Sequence, residues 1–171
     1  SDFVGLRDAT AIELLYGTGI RQAELIVLKT SDIDWAQGQM RVLGKRNKER
    51  LVPIIPALAD TLKHYMTQRK VYPGTSAHSF LLVTNKGNKT YLAFVYRLIK
   101  TYVRSVSNKI STSPHVLRHS FATHMLDAGA DINVVKEILG HESLAATQEY
   151  TKVQLPKVQD AYRAAHPRAK K

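Results

Sequence analysis

The chain contains no cysteine among its 171 residues. Disulfides, thiolate metal sites and cysteine nucleophiles are therefore excluded, and the composition suits a reducing cytosol. Acidic side chains are scarce: 14 Asp and Glu face 25 Lys and Arg, which leaves a formal net charge of +11. A surplus of that size predicts an acidic partner, and nucleic acid is the commonest, although ribosomal and membrane-surface proteins carry similar charge. No apolar run approaches the roughly 20 residues of a membrane span, and no secretory signal opens the sequence. Internal repeats, low-complexity tracts and linkers are missing too. The first residue is Ser1 rather than Met, so we expect a fragment or a processed form.

At this length the chain is expected to form one domain that buries roughly 70% of its unfolded surface. Leu6 to Tyr16 has near-helical apolar spacing, and Gly17 and Gly19 are expected to break that helix. A short helix should follow from about Ile20, carrying Arg21, Glu24, Leu25 and Leu28, with a turn at Ser31-Asp32. Gln39 to Leu43 and Arg50 to Ile55 read as strands joined by the polar, basic turn Gly44-Lys45-Arg46-Asn47-Lys48-Glu49. Pro56 opens a helix to about Tyr72, with Leu58, Leu62, Tyr65 and Met66 inward. Ser79 to Val83 is a candidate third strand. Tyr91 to Val106 should be a helix with Phe94, Leu98, Ile99 and Tyr102 on one stripe. Ser113-Pro114 starts another, running to Gly129. Asp131 caps a further helix that Gly140 ends. Shorter helical stretches are expected over 142–148 and 156–165, before a basic tail. Few strands among many helices predict a mainly α domain with a small antiparallel β-sheet (α+β).

Three blocks carry the chemistry. The first is Thr18-Gly19-Ile20-Arg21-Gln22-Ala23-Glu24-Leu25. The second is Pro114-His115-Val116-Leu117-Arg118-His119-Ser120-Phe121-Ala122-Thr123-His124, and the third runs from Leu139-Gly140-His141 to Glu149-Tyr150-Thr151. Arg118 lies one helical turn after His115, on the same face. A planar guanidinium suits two phosphate oxygens at once, which Lys does not reproduce. Glu24, one turn from Arg21, would orient that arginine rather than react. A phenol is a poor nucleophile while protonated, with a pKa of about 10, and a cation-lined pocket favours its ionised form. Lys45 and Lys48 share their turn with Arg46 and Arg50. A lysine there could protonate a leaving oxygen.

Each of these residues also has a plain reading. An arginine is usually a surface cation, a tyrosine a half-buried packing residue, a basic turn a solvated loop. His115 and His119 stand at i and i+4, as zinc ligands can, but no Glu follows His115 and no third ligand pattern accompanies them. His119 and His124 read as packing or hydrogen-bonding residues.

Taken together, the blocks closely resemble the catalytic domain of tyrosine recombinases, the phage-integrase and Xer family, from about Val4 to Ala169. The ending Ala165-His166-Pro167-Arg168-Ala169 also resembles Xer tails. The resemblance implies a single catalytic domain over 1–171, without the family's N-terminal DNA-clamping domain. It implies that Arg21, Lys45, His115, Arg118 and His141 activate a DNA phosphodiester and that Tyr150 attacks it. Lys45 is preferred to Lys48 because the first lysine of the Gly-Lys turn is the active one in Xer-like sequences. Arg46, Lys48 and Arg50 are candidate DNA contacts. The implied product is a 3′-phosphotyrosyl intermediate, resolved by strand exchange through a Holliday junction, without metal, ATP or other cofactor. The implied partner is double-stranded DNA with specific sites, bound by a tetramer whose subunits touch through the C-terminal helix over 156–165. The location implied is the cytoplasm, at the nucleoid, with no membrane association. Chromosome dimer resolution and mobile-element integration both fit. A type IB topoisomerase-like enzyme and a non-catalytic DNA-binding regulator are the alternatives.

Overall fold

The computed structural model describes residues 3–75, 78–106 and 113–140. Among them the fold is mainly helical with one small antiparallel sheet, as expected. Helix α1 (Phe3–Thr18) is central, packed against α3 (Pro56–Val71) and α5 (Pro114–Asp127). Its Ala11, Leu14 and Leu15 are buried, and Phe3 stacks on Tyr65 and Tyr72 of the α3 region with ring centroids 5.6 and 4.0 Å apart. Gly17 remains inside α1. The break falls at Gly19, whose φ of +65° lies in the left-handed region open to glycine.

After the four-residue α2 (Gln22–Leu25), the chain makes a 3₁₀ turn at Thr30–Asp32 and enters the sheet. Strands β1 (Ile33–Asp34), β2 (Gln39–Leu43) and β3 (Glu49–Pro53) lie in the order β1-β2-β3, with Met40 opposite Val52 and Val42 opposite Arg50. Met40, Val42 and Val52 face the core while Arg41, Leu43 and Leu51 face outward, the period of two that a half-buried sheet requires. Helices α4 (Leu92–Val106), α5 and α6 (Ile132–Leu139) complete the layer around α1.

Two expectations are corrected. The third strand is Ile33–Asp34, and Ser79 to Val83 forms only isolated bridges, Lys29 with Phe80 and Val83 with Lys89. Leu81, Leu82 and Val83 are all buried, so the segment does not alternate. Side chains take some of its carbonyls instead: Arg69 donates to Phe80 O, as well as to His78 O just before the segment, and Tyr65 OH to Leu81 O at 3.0 Å. The buried stripe of α4 is Val95, Ile99 and Val103, whereas Phe94 and Leu98 are half-buried and Tyr102 is exposed. At the other end, α6 follows its sequence signals. The Asp131 side chain accepts from Asn133 N at 2.7 Å, and Gly140 closes the helix at φ +65°. The stretches 142–148 and 156–165 lie outside the described residues. No helix among the described residues is long and apolar enough to cross a membrane.

Candidate functional site

Gly19 turns the chain out of α1, and two residues later Arg21 adopts an extended backbone just before α2. The Glu24 carboxylate accepts from the Arg21 backbone N–H at 2.7 Å and from Arg21 Nη1 at 3.2 Å. Glu24 is 5% exposed and Arg21 32%. The acid is therefore inside, and the guanidinium it orients still reaches solvent.

Arg118 approaches the same place from α5. Its Nη1 donates to Gly19 O and its Nη2 to Leu139 O at 2.7 Å. Both acceptors lie at helix ends, where unpaired carbonyls carry partial negative charge. Burial lowers the Arg118 pKa to about 10, helped by the charges of Arg21 and Arg50 and opposed by Glu24. A half-buried cation beside other cations is one that a bound anion would stabilise. His115, one turn earlier on α5, is exposed.

Arg21, His115 and Arg118 line one cleft of about 210 Å³ together with Ile20, Gln22, Ala23 and Leu92. No acidic side chain is among these lining residues. Gln22 and Leu92 were not singled out from sequence. The Gln22 side-chain amide donates to Leu92 O, which ties α2 to the start of α4. Two guanidiniums and an imidazole on one concave surface make a receptor for a tetrahedral oxyanion.

Lys45 lies on the β2–β3 turn. Arg46 and Asn47 have left-handed φ of 56° and 57°, Lys48 N donates to Lys45 O at 3.2 Å and Gly44 N to Lys48 O at 2.8 Å, so the chain reverses within a tight turn. Lys45 and Lys48 are exposed. The base of the turn adjoins the Arg21 segment, since a Cβ on Gly44 would stand 3.7 Å from Glu24 Oε1.

Arg50 is placed differently from its turn neighbours. Its Nη1 and Nη2 donate to the two Glu24 carboxylate oxygens at 2.8 and 2.9 Å, and its Nε donates to Ile138 O at 2.7 Å. Its side chain is 13% exposed. Burial pushes the Glu24 carboxyl up, but the hydrogen bond and charge of Arg50, with those of Arg21, outweigh burial and hold it below the usual range. Sequence inspection missed this fork because its partners lie 26 and 88 residues away and no local pattern marks them.

His141 and Tyr150 lie outside the described residues. His119 is exposed, and His124 Nδ1 pairs with Tyr16 OH at 2.7 Å. Six of the eight tyrosines fall among the described residues, and none of them lines the cleft. Tyr65 is deeply buried, and its phenol is pushed up to about 12 by burial. Among the described residues, no three His, Asp or Glu side chains gather as metal ligands would.

The sequence matches the model of the phage integrase family over residues 2–155. Tyrosine recombinase XerC of Chlorobaculum tepidum is 41% identical over 168 residues, which cover 95% of this chain and 50% of that protein. The crystal structure of XerA recombinase superposes with a TM-score of 0.74 at 29% identity, over 94% of this chain and 57% of that one. XerH site-specific recombinase, bound to its difH substrate in a pre-cleavage complex, gives a TM-score of 0.73 at 27% identity, over 92% and 47% of the two chains. The chain thus spans about half the length of the relatives it matches.

Proposed function

The chain belongs to the phage integrase family, and from that premise we propose that it is the catalytic domain of a site-specific DNA recombinase. The observation that carries the reading is the cleft itself. Arg21 and Arg118, far apart in sequence, reach one concave surface with His115.

In this reading Arg21 and Arg118 hold the non-bridging oxygens of the scissile phosphate, and His115 and His141 hydrogen-bond to them. Negative charge grows on those oxygens as phosphorus becomes five-coordinate, so preorganised cations stabilise that state more than the ground state. The Tyr150 oxygen attacks phosphorus and gives up its proton to solvent, which also restores the proton that Lys45 donates. The bond to the 5′ oxygen breaks, and Lys45 supplies the proton that makes it a 5′-hydroxyl. The 3′-phosphotyrosyl ester keeps the bond energy. A 5′-hydroxyl from the partner duplex then attacks the ester, the bond from phosphorus to the Tyr150 oxygen breaks and the phenol is released with a proton, and the exchange proceeds through a Holliday junction. The step balances without a nucleotide or a metal ion. Arg46 and Lys48 contact the DNA backbone from the β2–β3 turn. Four subunits act on paired sites in the cytoplasm, linked through residues 156–165.

The reading is tested with a duplex carrying the recombination site and a nick beside the cleavage position, so that the cleaved end diffuses away. A recombinase accumulates a covalent protein–DNA adduct, unaffected by EDTA, and exchanges strands between paired sites. An adduct with supercoil relaxation but no pairwise exchange would indicate a topoisomerase. Binding without any adduct would indicate a regulator.

A further inference from the structure

Glu24 serves two guanidiniums unequally. Arg50 takes both carboxylate oxygens at 2.8 and 2.9 Å, whereas the Arg21 side chain holds only one, at 3.2 Å. A free buried carboxylate beside Arg21 would draw that guanidinium into a two-pronged pair, the preferred geometry for Arg with a carboxylate. With Arg50 already filling the fork, Arg21 keeps its donors directed to the cleft it lines.

The third nitrogen of Arg50 extends the tie. Its Nε donates to Ile138 O, and Arg118 Nη2 donates to the next carbonyl, Leu139 O. The two arginines therefore cap successive carbonyls at the end of α6, one from behind the cleft and one from within it. Gly140 allows this close approach: a Cβ there would stand 3.1 Å from Arg50 Cδ, Nε and Nη1, and its φ of +65° is a left-handed value.

We propose that Arg50 is a positioning residue for strand cleavage: by occupying both oxygens of Glu24 and the Ile138 carbonyl, it keeps Arg21 available to the scissile phosphate and fixes the cleft to the Lys45 turn and to α6. The proposal rests on the recombinase reading. It assigns Arg50 to the support of the site rather than to the DNA surface, and its role is to prevent Arg21 from collapsing onto Glu24.

The test uses the protein as its natural gene encodes it, with nicked DNA at saturating concentration. Three quantities are separated: the rate constant of adduct formation, the final amount of adduct, and the DNA affinity with its salt dependence. For Arg50→Gln the rate constant should fall on the order of 10²-fold, since a displaced contact group of this kind costs about that much. Affinity and salt dependence should stay near wild type. The rate constant reports only folded molecules, so partial unfolding lowers the amount of adduct without imitating the effect. Adding Glu24→Gln to Arg50→Gln removes the carboxylate that traps Arg21, and the double variant should cleave faster than Arg50→Gln alone. An unchanged rate constant, or no recovery in the double variant, overturns the proposal. Weakened affinity with a shallower salt dependence and a normal rate at saturation would instead place Arg50 on DNA. A wild-type protein that forms no adduct would overturn the recombinase reading itself, a result distinct from any of these.

Discussion

Arg118 and Gly19 stand 99 residues apart in sequence, yet the Arg118 guanidinium donates directly to the Gly19 carbonyl. That bond joins α5 to the turn that presents Arg21, so one guanidinium of the cleft is anchored on the segment that carries the other. It also makes the local backbone at Gly19 part of the site.

Gly19→Ala should therefore damage more than a turn. A Cβ at this position would lie 2.6 Å from both Phe121 Cδ1 and Leu139 Cδ2, on a backbone at φ +65°. Overpacking and left-handed strain together should cost about 2–4 kcal/mol. Urea unfolding of the variant and wild type measures it, and an unchanged midpoint would mean the turn can move without loss.

Arg118→Lys keeps a positive charge but cannot span two acceptors. Adduct formation should fall by about 10²-fold or more if transition-state stabilisation dominates. DNA affinity should change little. Cleavage near the wild-type rate would remove Arg118 from the reacting phosphate.

Glu24 supplies a pH dependence whose sign follows from its environment. Its carboxyl is held below the ordinary value of 4.5, chiefly by Arg50 against the opposing effect of burial. A carboxyl depressed in the folded state contributes stability that is complete above its unfolded pKa and is lost as pH falls through the folded one. Wild-type stability should thus decline below about pH 4.5. Glu24→Gln should be less stable at neutral pH by about 3 kcal/mol, because it leaves Arg50 buried without its charge partner. Its stability should also lose part of the acid decline. Denaturant midpoints between pH 3 and 7, taken as about four steps, check both; a parallel decline in the two proteins would contradict the assignment.

Lys48 and Arg50 lie on the same turn-and-strand segment and should behave differently. Lys48 is exposed, and a phosphate contact from it contributes through counterion release. Lys48→Ala should lower the slope of log affinity against log salt by about 1 and leave the cleavage rate at saturating DNA unchanged. A normal slope with slow cleavage would reverse the roles given to the two residues.

The elements that were legible in the sequence are those with local signals. Pro56 and the spacing of Leu58, Leu62 and Tyr65 announced α3, and Asp131 with Gly140 bracketed α6. The basic turn between two runs read as rich in Val, Ile and Leu announced β2 and β3. β1 was invisible because two residues carry no alternation. Ser79 to Val83 looked like a strand because it is apolar, whereas its Phe80 and Leu81 carbonyls are satisfied by Arg69 and Tyr65 side chains that no short-range rule anticipates. In the site, Arg21, His115 and Arg118 could be named from their blocks, since each block has a local pattern. The Arg50 fork could not, because it exists only once β3, α2 and α6 have met.

The central claim is that a phenol on the third block attacks DNA held by the cleft. It is tested most directly by Tyr150→Phe on nicked substrate, which removes one oxygen and little else. The account predicts DNA binding at wild-type affinity and no covalent adduct, while wild type accumulates an adduct that maps by peptide mass to Tyr150. An adduct that persists in Tyr150→Phe would move the nucleophile to another residue and contradict the assignment.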